Sequence, residues 1–366
     1  MVRSGAPGTL PAGRRADRRR ASPQCRDGVF HNALETHTLL PGTLWRTLRQ
    51  HVRGRKHRVP KVAPPICART GAEYAEPPAS GLRATWLGHA TILLEIDGRR
   101  LLFDPVWSER ASPVRFAGPK RFHPPPLPLH EIPPLDAVVL SHDHYDHLDL
   151  RTIRALAATD VRFIAPLGVG AHLERWGVPV SRITELDWWD CVTLGPRPPA
   201  TPPASGAHAA AADDLELVAT PARHFSGRTP FSQNRTLWAS WVVAGPRHRV
   251  YHSGDTGFDE SFREIGSRYG PFDLTCMAIG AYSPTWPLIH MTPEEAVRAQ
   301  ALVRGRLLLP IHWGTFNLAF HAWNEPVERL LAAAAEQGTA IVVPRPGEWI
   351  EPAAPPAVAA WWRVGG

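Results

Sequence analysis

Three histidines and two aspartates fall within the seven residues Ser141-His142-Asp143-His144-Tyr145-Asp146-His147, directly behind the apolar run Ala137-Val138-Val139-Leu140. Neutral imidazole and carboxylate suit zinc and its first-row neighbours. Two histidines at i and i+2 can close on one ion from a loop, which leaves Asp146 and His147 for a second. Three later segments repeat the pattern of a hydrophobic strand followed by a short polar turn. Leu215 to Thr220 runs into Pro221-Ala222-Arg223-His224, Arg249 to His252 into Ser253-Gly254-Asp255-Thr256, and Leu307 to Ile311 into His312. A donor at a strand end is held rigidly yet can stay open to substrate.

The chemistry divides these donors into two sets. One ion takes His142, His144 and His224, and the other takes Asp146, His147 and His312. Asp255 is the natural bridge, because a carboxylate can hold two cations. Three or four protein ligands per ion leave a position for water, which marks a catalytic rather than a closed structural site. The cofactor expected is therefore two Zn2+. Asp146 and Asp255 are the candidates for orienting the attacking hydroxide, since bound zinc lowers the pKa of water toward ~7. The four cysteines (Cys25, Cys67, Cys191, Cys276) are scattered with no C-x-x-C pair, so they suggest no zinc-thiolate site.

The elements that must position these residues alternate. Strand patterns occur at 82–87, 90–96, 99–103, 137–140, 161–165, 215–220, 237–243, 248–252, 273–279, 307–311 and 340–343, and helical patterns at 150–158, 259–267, 292–303 and 326–337. The class is α/β, with two sheets face to face and helices outside. A hydrolase domain is expected over residues 82–351, preceded by a basic Pro- and Arg-rich arm over 1–81 and followed by a tail over 352–366.

The order His-x-His-x-Asp-His, His, Asp, His, with Asp104 closing an early strand, resembles the metallo-β-lactamase superfamily. Motifs that are not ligands narrow the resemblance. Trp86-Leu87-Gly88-His89-Ala90-Thr91, Gly118-Pro119-Lys120-Arg121-Phe122, Glu185-Leu186-Asp187-Trp188-Trp189, Gly270-Pro271-Phe272-Asp273-Leu274, Pro293 to Val297 and Ile311 to Phe316 are similar to the N-acyl-phosphatidylethanolamine-hydrolysing phospholipase D branch. The resemblance implies an αβ/βα four-layer sandwich and a homodimer. It also implies a zinc-dependent phosphodiesterase that releases N-acylethanolamine and phosphatidic acid from a phospholipid. It places His290 near substrate, although Thr292 with Glu295 also reads as a helix-capping box beside it. Tyr145 is a second candidate substrate contact. Asp104 reads either as support behind a ligand histidine or as an ordinary strand-end residue before Pro105. For Trp188, Trp189, Trp286 and Trp313 core packing stands ahead of a lipid groove. Lys120 and Arg121 read as headgroup contacts or as solvated charges. Fold alone does not fix the reaction, so a lactonase of sugar phosphates, a nuclease and a non-catalytic lipid-binding protein stand as alternatives.

Residues 1–61 carry 14 Lys and Arg against three acids, whereas the whole chain has a formal net charge of +7. The excess positive charge therefore belongs to the arm and the rest is slightly acidic, which argues against a nucleic-acid partner at the site. Residues 1–27 read as a solvated, largely disordered tail. Over 38–58, Leu39, Leu40, Leu44, Trp45 and Leu48 beside Arg46, Arg49, Arg53 and Arg55 suit an anionic membrane surface or packing on the domain. No signal peptide or membrane-spanning run is visible, and the expected location is cytoplasmic, peripheral to a membrane. Residues 198–214 read as a low-complexity loop.

Overall fold

The computed structural model describes residues 13–53, 57–195 and 214–363. The N-terminal segment forms α1 (Arg14–Ala21), a short hairpin of β1 (Cys25–Arg26) and β2 (Val29–Phe30), and α2 (Leu44–Arg53). The first sheet is then laid down by β3 (Leu82–Trp86), β4 (Ile92–Ile96), β5 (Arg99–Phe103) and β6 (Ala137–Val139). It continues through α3 (Leu150–Ala157), β7 (Arg162–Pro166), α4 (Gly170–Arg175) and β8 (Ile183–Leu186). The second sheet holds β9 (Cys191–Leu194), β10 (Leu215–Thr220), β11 (Ser240–Ala244) and β12 (Arg249–His252). It is completed through α5 (Ser261–Tyr269), β13 (Leu274–Ala278), α6 (Pro293–Val303) and β14 (Leu308–Ile311). Finally α7 (Glu325–Gln337) precedes β15 (Trp349–Ile350), which returns to the first sheet.

The strand orders are β15-β3-β4-β5-β6-β7-β8 and β14-β13-β12-β11-β10-β9. In each sheet antiparallel pairs pass into parallel ones, from β5 to β8 in the first and from β12 to β14 in the second. Side-chain alternation explains the layering. Ile92, Leu94 and Ile96 of β4 face Leu217, Trp241 and Val243 of the other sheet, whereas Leu93, Leu102, Val138 and Phe163 face outward among Ile153, Leu156 and Leu173 of α3 and α4. Both faces of each sheet are thus covered, as the four-layer expectation requires.

Several expectations are corrected. Residues 13–27 are not a solvated tail, and residues 1–12 lie outside the described part. Arg15 bonds Glu174 and Glu185, and Arg18 reaches the Glu185 carbonyl, so carboxylates on the domain supply the partners that order this basic stretch. Phe30 and Tyr74 are fully buried, so the expected arm contributes to the core. The expected tail does so too. Trp361 stacks on Trp313 with ring centroids 5.2 Å apart, and Trp362 donates to Glu328. The strand expected at 340–343 is a single bridge from Ile341 to Leu308, and Pro344, which has no N–H, follows it. The expected loop at 198–214 falls almost wholly outside the described residues.

Candidate metal centre

The candidate donors converge at one edge of the sandwich, where both sheets release their polar turns. The loop after β6 turns tightly, with Leu148 N donating to the His144 carbonyl at 2.8 Å, and so brings His142, His144, Asp146 and His147 to the centre from one short stretch. Asp255 follows β12, His224 follows β10, and His312 follows β14. The first set is compact. His142 Nε2 lies 2.8 Å from His144 Nδ1, and His224 Nε2 lies 3.2 Å from the same atom. In the second set, Asp146 Oδ2 is 3.2 Å from His312 Nε2 and 3.4 Å from His147 Nε2. Asp255 Oδ2 touches both, at 3.0 Å from His312 Nε2, 3.3 Å from His147 Nε2, 3.8 Å from His224 Nε2 and 3.9 Å from His142 Nε2.

The residues present fit cations. The far nitrogens of three histidines are tied back: His142 Nδ1 to Ser141 Oγ at 2.9 Å, His224 Nδ1 to the Ile289 carbonyl at 2.9 Å, and His147 Nδ1 to Asp104 Oδ2 at 2.8 Å. Such ties fix the tautomer and aim the other nitrogen's lone pair inward. His147 Nε2, Asp255 Oδ1 and His290 Nδ1 are buried without any hydrogen-bond partner, a state that buried polar atoms rarely tolerate without an ion or water. Burial holds His142 and His224 well below the ordinary histidine pKa, and holds His144 below it as well, so three neutral nitrogens crowd one point.

The second set demands positive charge. Burial opposes ionisation there, yet His147 and His312 keep the carboxylates of Asp146 and Asp255 well below the usual range. Conversely, Asp255, Asp146 and Asp104 outweigh the burial of His147 and raise it well above its ordinary value, while Asp255 and Asp146 raise His312 to about 9. Two carboxylates facing these imidazoles make a pocket whose charge a divalent cation can balance.

The structure places Asp104 behind His147. Its Oδ1 accepts from Ser141 N at 2.7 Å and its Oδ2 from Ser141 Oγ at 2.6 Å. His290 faces the centre with Nδ1 3.9 Å from Asp255 Oδ2, and burial pushes its pKa down to about 3. The Thr292–Glu295 capping box also forms, two residues further on, so the two readings of this stretch belong to different residues. Tyr145 is not among the central groups. Its hydroxyl donates to the Arg228 carbonyl at 2.8 Å, and its ring, under the Arg228 guanidinium, lines a cavity of about 260 Å³ with Val114, Arg115 and Trp176. Arg121 is buried, donating to the Val106 carbonyl, whereas exposed Lys120 pairs with Glu109. Trp188 and Trp313 are buried packing residues.

Two residues at the centre escaped the sequence reading. His89 Nε2 lies 2.8 Å from Asp146 Oδ2. Asn32, from the expected arm, brackets the His224 backbone, accepting from its N–H at 3.0 Å and donating to its carbonyl at 2.7 Å. His89 stood inside the Trp86–Thr91 motif, which was the signal available. Asn32 had none.

Fold and donor set together define a metal-dependent hydrolase of the metallo-β-lactamase fold. The chain belongs to the β-lactamase superfamily, whose domain profile ("Beta-lactamase superfamily domain") matches residues 99–313. Its relatives place it in the phospholipase branch. It is 40% identical over 260 residues, 69% of either chain, to N-acyl-phosphatidylethanolamine-hydrolyzing phospholipase D 1 of Caenorhabditis elegans. It is also 48% identical over 353 residues, 94% of this chain and 88% of the relative, to an uncharacterized protein of Mycobacterium tuberculosis. Among solved structures, the fold is similar to a metallo hydrolase of the archaeon Ignicoccus hospitalis (TM-score 0.54, 20% identity, 74% of this chain and 97% of that one). It is similar also to an isothiocyanate hydrolase from Delia radicum gut bacteria (TM-score 0.55, 19% identity, 74% of this chain and 98% of that one).

Proposed function

We propose that this hydrolase is a phosphodiesterase of the phospholipase D type, with His142, His144 and His224 holding one cation, Asp146, His147 and His312 a second, and Asp255 shared by both. The observation that carries this reading is Asp255 Oδ2 within 3.9 Å of a histidine nitrogen from each set. Bound there, two divalent ions such as zinc would lower the pKa of water toward ~7 and neutralise charge on a phosphoryl oxygen. The protein's own part is positional. Asp104 and Ser141 orient His147, Asn32 fixes His224, and the unpartnered His290 Nδ1 is placed to bond a phosphoryl oxygen. Asp146 and Asp255 orient the attacking water. A new bond forms from water oxygen to phosphorus, the bond to the alcohol oxygen breaks, and that oxygen takes a proton. The products would be N-acylethanolamine and phosphatidic acid. The 40% identity to the nematode phospholipase supports this choice of substrate class.

An anionic membrane surface is the partner we propose for the exposed apolar side chains. Trp45, Phe116 and Phe231 are 80%, 85% and 91% exposed, with Arg46 and Arg49 close to Trp45 and Arg115 next to Phe116 in sequence. Exposed apolar groups with cations nearby in sequence suit an interface with anionic lipid. Among the described residues no helix is long and apolar enough to cross a membrane. The test is mass spectrometry of products after incubation with N-acyl-phosphatidylethanolamine, other phospholipids, cyclic nucleotides, lactones and short RNA, each with and without added zinc. Release of N-acylethanolamine and phosphatidic acid is expected. Turnover of a lactone or RNA with no lipid cleavage would overturn the reading.

A further inference from the structure

We infer that Asp143, backed by Arg228, is the positioning residue for the cation among His142, His144 and His224. It acts by locking the turn that carries His144 to the turn that follows His224. The inference rests on the metal reading of the centre given above.

His144 is the donor that needs such a lock. Its Nδ1 faces His142 Nε2 at 2.8 Å and His224 Nε2 at 3.2 Å. His142 and His224 present Nε2 and have their Nδ1 tied back, to Ser141 Oγ and to the Ile289 carbonyl. Among the described residues the His144 ring has no such tie. Its Nδ1 also adjoins the ring carbon that carries Cβ, so the main chain at residue 144 sets where that nitrogen lands.

That main chain is held from within and from outside. The His144 carbonyl accepts from His147 N at 3.1 Å and from Leu148 N at 2.8 Å, which closes the turn on itself. Arg228 Nη1 donates to the Asp143 carbonyl at 2.7 Å and to the Leu148 carbonyl at 2.9 Å, bracketing the turn at both ends. Tyr145 Oη donates back to the Arg228 carbonyl at 2.8 Å.

Asp143 supplies the side-chain half of the lock. The histidines on either side of it face the centre, and its own carboxylate faces the rear. There Oδ1 accepts from Gly227 N at 2.7 Å, and Oδ2 lies 3.2 Å from His172 Nε2 on α4. Gly227 stands three residues after His224, so this bond joins the two turns that supply all three histidines. The close approach needs glycine. Gly227 has φ +134°, and a Cβ there would meet Gln233 Cα at 2.9 Å. Asp143 is buried, and a group that orients metal ligands from behind bears on affinity much as a ligand does.

The test compares the wild-type chain with Asp143→Asn, which keeps an oxygen for Gly227 N, and Asp143→Leu, which keeps the branched shape without acceptors. Zinc affinity is measured by chelator competition, and melting is followed in excess chelator. Occupancy of each cation is read from anomalous diffraction of crystals at limiting zinc. Asp143→Leu should hold one of two cations 10–100-fold more weakly. The peak among His142, His144 and His224 should fade while that among Asp146, His147 and His312 stays, and Asp143→Asn should remain near wild type. A lowered melting temperature with wild-type affinity for both cations would make Asp143 a structural residue only and overturn the inference. So would equal losses at both cations, or an Asp143→Asn as weak as Asp143→Leu. If Asp143→Leu does not fold, Arg228→Met, which removes the bracket on the same turn, decides: loss confined to the three-histidine cation supports the lock, and unchanged affinity overturns it. A wild-type chain that takes up no cation overturns the metal reading, and the inference with it; the other adverse outcomes leave that reading standing.

Discussion

The backbone N–H of His312, at the end of β14, donates to the carbonyl of His89, in the β3–β4 turn, at 3.0 Å, and both residues carry positive φ. This bond crosses from one sheet to the other. It closes the centre into a seam whose donors come from both halves of the sandwich, so small shifts between the sheets would be felt directly at the candidate cations.

Asp255→Asn should lower metal content and turnover together, because the amide replaces the anion shared by both sets. The loss of affinity should exceed the 10–100-fold typical of removing a group behind a ligand. Elemental analysis alongside kinetics checks it, and a variant with full metal and full activity would remove Asp255 from the bridge.

Asn32→Ala leaves the N–H and carbonyl of His224 without their side-chain partners, and also frees Trp238 Nε1 from its 3.0 Å bond to Asn32 Oδ1. Stability should fall by roughly 1–3 kcal/mol, and zinc affinity should fall with it. Unchanged affinity in the folded variant would show that the N-terminal segment does not position His224.

Glu185→Ala should destabilise the chain by roughly 2–4 kcal/mol. Glu185 Oε1 accepts from Gly168 N and Gly170 N, each at 2.8 Å, and its other oxygen pairs with Arg15. Urea unfolding measures the loss. A change under about 0.5 kcal/mol, the range of ordinary surface substitutions, would mean that water replaces these bonds.

His123 gives the chain a pH dependence away from the ligands. Burial, then the charge of Arg121, pushes its pKa from 6.5 down to about 4. Between these values the unfolded chain binds a proton that the folded chain does not, so stability falls as pH drops from 6.5 to 4, by roughly 3 kcal/mol in all. His123→Gln should flatten that part of the melting-temperature profile of the metal-free protein. An identical slope would contradict the assignment.

The sequence was most legible where one element dictates its own pattern. The apolar strand runs of β3, β4 and β5 and the capped helix α6 follow from local chemistry, and the donors after β6, β10, β12 and β14 stand out by residue type and by their place behind apolar runs. Asp104 was legible as an acid at a strand end. It needed the parallel pairing of β5 with β6 to be set behind His147. What escaped depended on distant parts of the chain. Arg15 meets Glu185 170 residues away, so a basic stretch without local partners reads as a tail. Asn32 meets His224 across 192 residues, and nothing in the spacing of either foretells it. His89 sits in a left-handed turn beside a glycine, where a lone histidine reads as part of the turn. Tyr145 was read by adjacency to the ligands; its hydroxyl donates to the Arg228 carbonyl while its ring lines the cavity with Arg115 and Trp176.

The central claim is that seven side chains from distant stretches enclose two cations joined through Asp255. Anomalous diffraction from crystals, recorded at the absorption edge of the metal that elemental analysis identifies, tests it most directly. The account requires two peaks, one among His142, His144 and His224 and one among Asp146, His147 and His312, each in contact with Asp255. A single peak that Asp255 does not touch, or none at this seam in protein that turns over a phosphodiester, would contradict it.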